Sequence, residues 1–154
     1  MKSKLIQHLL GALVLAVAMT PASAAQSAIH QQLQQRVDAL GKQWSGHDAH
    51  AIATQFFTGD LTASGEGNPG LVQGSGQLEP LLAELFKAAP HARLEVHVAE
   101  QLGADAAYAW VVWHCNEDKP ATQQFKVRSL YVFKKTGGLW KIAADAYSMG
   151  GLPR

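Results

Sequence analysis

Residues 125–148 read FKVRSLYVFKKTGGLWKIAADAYS, and this stretch decides the fold. From Phe125 to Lys135 and again from Leu139 to Ser148, apolar and polar residues alternate with the period of two that a half-buried strand requires. Gly137-Gly138 separates the runs, and glycine supplies the positive φ angles of a tight hairpin turn. A two-residue turn there sets Phe133 opposite Ile142, Tyr131 opposite Ala144 and Ser129 opposite Ala146, on an apolar face shared with Trp140. The other face then carries Arg128 opposite Tyr147, with Asp145 diagonal to Arg128. A single β-bulge would move part of this set to the opposite face.

Upstream, the same alternation runs through Leu94, Val96 and Val98, with Arg93, Glu95 and His97 between them. A turn at Gly103-Ala104 leads into Tyr108–Cys115 and pairs His97 with Trp110, Glu95 with Val112 and Arg93 with His114. The alternate face of Leu94, Val96, Val98, Ala109, Val111, Trp113 and Cys115 is the core face, which makes Cys115 a small buried hydrophobe rather than a nucleophile. These are long antiparallel strands in a meander.

Before Pro90 the period is helical. Ile29, Leu33, Val37, Leu40 and Trp44 form one stripe at spacings of three and four. Ser45-Gly46-His47 breaks that helix, and Asp48 caps a second, short one with Ile52, Phe56 and Phe57 on its apolar side. Thr58-Gly59 ends the second helix. Leu61–Ser64, a Gly-rich turn over 65–70 and Leu71–Gln73 read as a small hairpin. Ser75 opens a third helix whose apolar face is Leu78, Leu81, Leu82, Leu85 and Phe86; Ala89-Pro90 stops it.

Three helices followed by a curved antiparallel sheet, together with Trp44-Ser45-Gly46-His47-Asp48, Gly74-Ser75-Gly76 and the 128–148 strand pair, resemble the NTF2-like (cone-fold) superfamily in its SnoaL-like and DUF4440-like branch. The resemblance spans residues 29–149. It implies an α+β cone with three N-terminal helices packed on a strongly curved antiparallel sheet. A deep apolar pocket between the third helix and the concave sheet face is implied as well, often in a homodimer formed through the sheets. The superfamily holds ketosteroid isomerase, polyketide cyclases, dehydratases and many noncatalytic binders, so fold does not settle function. The isomerases carry their base carboxylate on the segment corresponding to Leu61–Gly67, where this chain has Ser64 or Gly65 near the expected position. That departure disfavours an isomerase of the usual kind. Some polyketide cyclases of the family place an acid on the late strand, where this chain has Asp145, but the residues flanking it resemble the DUF4440 pattern instead.

The chain has 154 residues, of which 47% are hydrophobic and 16% charged. Residues 1–24 carry Lys2 and Lys4, the apolar run Leu9–Met19, then Pro21 and Ala22-Ser23-Ala24, the order of a secretory signal peptide cleaved after Ala24. A single domain, 25–154, is expected in a bacterial periplasm or the exterior, with no membrane association after cleavage. Loss of the two lysines turns 13 basic residues against 12 acidic into a slight acidic excess. The remaining basic residues are scattered, which excludes a phosphate-tracking surface and hence a nucleic-acid partner. One cysteine excludes an intramolecular disulfide framework and a Cys-rich zinc site. His47 and His50 stand at a helix start without the geometry of a zinc helix, so no metal is expected. Nor does any cofactor motif occur: the Gly-rich 65–76 stretch is a rim and not a nucleotide loop.

The leading expectation is an exported protein that binds a small, largely apolar molecule in a pocket lined by Trp44, Phe56, Phe57, Leu82, Phe86, Trp113, Tyr131 and Trp140. A second is a SnoaL-like cyclase, isomerase or dehydratase with Asp145 as acid/base, assisted by Tyr147 or Arg128. In a bland alternative Arg128 and Asp145 are only a cross-strand ion pair, and Tyr147 covers the sheet. A third reading is a dimeric accessory or immunity-type protein that acts through its sheet face.

Overall fold

The computed structural model describes residues 21–153. The expected signal peptide lies outside the described residues, apart from Pro21–Ala24, whose backbone opens the first helix. Helix α1 (Pro21–Trp44) buries its whole predicted stripe, with Ile29, Leu33, Val37, Leu40 and Trp44 each at most 2% exposed. A side-chain oxygen of Asp48 accepts the Ala51 N–H at 2.9 Å and so starts α2 (Ala49–Phe56). Phe57 does not belong to α2: the backbone extends there and Phe57 becomes the first residue of β1 (Phe57–Gly65). The hairpin partner β2 (Val72–Gln73) pairs antiparallel with β1, and α3 (Ser75–Ala88) follows.

The remaining strands are β3 (Ala92–Gln101), β4 (Ala106–Cys115), β5 (Phe125–Thr136) and β6 (Leu139–Met149). They form one sheet in the order β2-β1-β6-β5-β4-β3. The β3 to β6 meander is antiparallel as expected, but β6 returns beside β1 in a parallel pairing, so the sheet is mixed. It does not close on itself: β2 and β3 are its edges. Helix α1 covers the β3 edge, where the Gln34 amide donates to Leu94 O at 3.1 Å and accepts the Val96 N–H at 2.7 Å. Edge groups that would otherwise template another strand are thereby satisfied. The helix approaches so closely at Gly41 that a Cβ there would sit 3.3 Å from Ala92 O.

Two bulges reset the faces. In β3 the register slips between Val96 and Val98, so Val98, not His97, lies opposite Trp110, while Arg93–His114 and Glu95–Val112 pair as expected. Val98 therefore leaves the core face and is 45% exposed, and Ala99, 1% exposed, takes the inward position. In β6 the register holds from Leu139 to Ile142 and then slips by one residue at Ala143. Beyond that point Tyr131 lies opposite Asp145, Ser129 opposite Tyr147 and Arg128 opposite Ser148, in place of the three expected pairs. A side chain's face is fixed by its parity along the strand, so one extra residue sends Asp145 and Tyr147 inward and Ala144 and Ala146 outward.

Candidate functional site

The inward parity of β5 is carried by Phe125, Val127, Ser129, Tyr131 and Phe133, and that of β6 beyond the bulge by Asp145, Tyr147 and Met149. Facing them, α3 presents Leu78, Leu81, Leu82 and Leu85, the three-and-four spacing of one helix face. Between the two surfaces lies a cavity of about 350 Å³, lined by all of these except Phe133, with Phe57 and Ala63 from β1, Trp113 and Cys115 from β4, Trp44 from α1 and Glu66 beyond β1. Leu85 and Met149, 40% and 50% exposed, stand at its mouth.

The polar groups converge on the β5–β6 wall. Asp145 sits between Tyr131 and Ala63, its partners on the two flanking strands. Part of its side chain is accessible from the cavity, yet Oδ1 is wholly shielded and has no hydrogen-bond partner among the described residues. Burial pushes the Asp145 carboxyl up to about 7, against a smaller opposing pull from the Ser129 hydroxyl. Trp113 Nε1 donates to the Tyr131 hydroxyl at 3.0 Å. Burial first, and the nearby Asp145 second, hold the Tyr131 phenol well above its ordinary range, so it stays protonated. Burial likewise raises the Cys115 thiol to about 11, which makes it a poor nucleophile. Tyr147 is held by shape: a Cβ on Gly65 would lie 2.4 Å from Tyr147 Cδ2, so only glycine lets the ring cross β1 there.

Of the residues expected to line the pocket, Trp44, Phe57, Leu82, Trp113 and Tyr131 do so. Phe56, Phe86 and Trp140 do not. Phe86 backs the wall, edge-on to Trp44 at 4.7 Å between ring centroids. Phe56 lies under the Arg36 guanidinium at 4.2 Å, and Trp140 donates to Gln32 Oε1 at 3.0 Å. Arg128 leaves the candidate cluster altogether. The bulge separates it from Asp145, and on the outer face it donates through Nε to Ser148 Oγ at 2.8 Å and through Nη1 to Gly151 O at 3.2 Å. The cross-strand Arg128–Asp145 ion pair is therefore absent too. Asp145 and Tyr147 share the cavity wall, through a register that the turn alone does not predict.

Sequence reasoning passed over Ser129 as a site residue, together with Phe125 and Val127. Extending the alternation of Tyr131 and Phe133 back along β5 would have found all three. Glu66, an exposed charge on the loop after β1, accepts the Met149 N–H at 2.8 Å and clips the end of β6 to the β1 turn. The histidines among the described residues lie elsewhere. His47 contacts Pro90 O and His50 contacts Glu79, while His114 and His97 flank Glu95 on the outer sheet face at 3.0 and 3.7 Å.

No protein-family model matches the sequence, and no curated protein matches it significantly. Solved structures do match in shape. A ketosteroid isomerase-like protein from Erwinia carotovora atroseptica superposes with a TM-score of 0.62 at 18% identity, covering 81% of this chain and 96% of that one. An NTF2-like protein with a cystatin-like fold from Novosphingobium aromaticivorans gives 0.64 at 12% identity, covering 86% and 91%. An NTF-2 like protein of unknown function from Shewanella oneidensis gives 0.60 at 16%, covering 77% and 97%. Identities this low speak to architecture alone. The chain has the NTF2-like, cystatin-like fold, an α+β cone built here on a mixed, open sheet.

Proposed function

We propose that this chain is an exported NTF2-like protein that binds a small, largely apolar molecule in the cavity between α3 and the concave sheet face. The cavity itself carries the reading: about 350 Å³, walled by leucines and aromatic rings, with its few polar groups gathered at Asp145. That combination of an apolar lining and a small convergent polar cluster is what ligand sites use for affinity and orientation, respectively. The leader-like order of residues 1–24 supports export. Native mass spectrometry of the protein purified from its own source should show one small adduct per chain that is released on denaturation. A Leu82→Trp variant that folds but has its cavity filled should lack the adduct.

Asp145 also favours a second reading, a cyclase, isomerase or dehydratase of the SnoaL-like kind. A carboxyl held near neutrality, with part of its side chain open to the cavity, is suited to passing a proton to and from a bound molecule. Tyr147 stands on the same wall, whereas Arg128 has no part in it. Turnover of a retained ligand that is unchanged in Asp145→Asn would eliminate this role.

The homodimer reading rests on the outer sheet face. There Val98, Trp110, Leu130 and Ala146 lie in register across four adjacent strands, an apolar stripe flanked by the row Glu95, Val112, Arg128, Ser148, in which only Val112 is apolar. Sedimentation of the wild type and Leu130→Glu tests it: a dimer that becomes a monomer supports pairing through this face, and a wild-type monomer refutes it.

A further inference from the structure

We propose that the cavity selects an apolar amine, its ammonium group seated on the Asp145 carboxylate and its tail among the leucines of α3; this rests on the ligand-binding reading above. The charge balance of the wall points to it. Among the described residues, the lining contains two carboxylates, Asp145 and Glu66, and no lysine, arginine or histidine. Glu66 already accepts the Met149 N–H through Oε2, whereas Asp145 Oδ1 accepts nothing. A buried charge without a counter-ion is costly, and a cation delivered by the ligand removes that cost. A neutral alcohol could donate one hydrogen bond to the accessible part of the Asp145 carboxyl but would leave the charge uncompensated, and a carboxylate ligand would be repelled. Trp44, Phe57, Trp113, Phe125, Tyr131 and Tyr147 add ring faces and edges to the wall. Ring faces attract an ammonium group more strongly where water is excluded.

The groups that face Asp145 do not offer an internal counter-ion. Strand β5 brings Ser129 and Tyr131, β4 brings Cys115, β6 brings Tyr147, the β1 turn brings Glu66, and α3 contributes only aliphatic side chains to the lining. None of these is a cation at neutral pH. Because burial holds the Asp145 carboxyl at about 7, acidification discharges the seat while an alkylamine stays charged.

A matched series with one tail, decylamine, decanol and decanoate, separates the outcomes. Binding is followed by calorimetry and by the fluorescence of Trp44 and Trp113, at about pH 8. The amine is expected to bind about tenfold or more tighter than the alcohol, as charge-assisted bonds exceed neutral ones, with decanoate weakest. Between about pH 8 and about pH 6 the amine should lose about tenfold in affinity and the alcohol little, since the ionised fraction of a group titrating near 7 falls by that factor. Asp145→Asn should bring the amine's affinity down to that of the alcohol, with near-UV circular dichroism showing that the variant is folded; the pH series on the unaltered protein gives the same test without a substitution. If decanol binds and decylamine binds no better, the amine proposal is wrong and the binding reading stands. If no member of the series binds, both fall.

Discussion

Replacing Asp145 with Asn should stabilise the protein, and by an amount that depends on pH in a defined way. Burial raises the Asp145 carboxyl from 3.8 in the unfolded chain to about 7 in the fold. Between those values the native state holds a proton that the unfolded state has released, so native stability falls as pH rises through this window. Below about pH 4 the carboxyl is neutral in both states and costs nothing; above about pH 7 the full cost is present. At about 1.4 kcal/mol per pH unit the accumulated cost is about 4 kcal/mol, a large share of the stability of a domain this size. Asn has nearly the same shape and no charge to bury. Urea unfolding followed by tryptophan fluorescence, run on both proteins across the range, subtracts every other titrating group. The stability difference should be near zero at about pH 4, rise steadily, and level off near 4 kcal/mol in favour of Asn above about pH 7. A difference that stays flat across the range would show that Asp145 is not desolvated, and the account of the cavity wall would fail with it.

Other perturbations test other parts of the wall. Gly65→Ala forces a Cβ to within 2.4 Å of Tyr147, so the ring or the β1–β6 pairing must shift, and thermal unfolding should report a loss of about 1–3 kcal/mol. Trp113→Phe removes the indole donor to the buried Tyr131 hydroxyl and should cost about 1 kcal/mol or slightly more, measurable in the same unfolding assay. Cys115, buried and with its thiol raised to about 11, should react with a thiol reagent at neutral pH only when the protein is unfolded; rapid labelling of the native protein would contradict its placement.

Periodicity made the helices and the meander legible. The α1 stripe, the Asp48 cap and the change to alternation after Pro90 each follow from a local rule, because a helix face or a strand face is fixed by residues a few positions apart. The parallel return of β6 beside β1 has no such local signature, since the two strands are far apart in sequence and their pairing is decided by packing. Residues on β5 were assigned to the right face, Tyr131 and Ser129 among them, because that strand runs without a slip. Beyond Ala143 on β6 the reading inverted: one bulge residue exchanged Ala144 and Ala146 for Asp145 and Tyr147. The extra residue at Ala143 turns methyl groups outward and a carboxyl inward, the reverse of what hydrophobicity favours, so an alternation pattern cannot reveal it. The separation of Arg128 from Asp145 follows directly, since residues on adjacent strands with opposite parity cannot meet. The aromatic residues divided by depth: Trp44 and Trp113 reach the cavity, whereas Phe86 and Trp140 are packed behind or beside it, a distinction that hydrophobicity does not encode.

The central claim is that the space between α3 and the sheet is a ligand site. Titration with Nile red, a neutral apolar dye, tests it directly when carried out on the wild type and on a folded Leu82→Trp variant. Saturable binding of one dye per chain, quenching Trp44 and Trp113 and lost when the cavity is filled, is the predicted result. Binding that fails to saturate, or that survives the filling of the cavity, would contradict it.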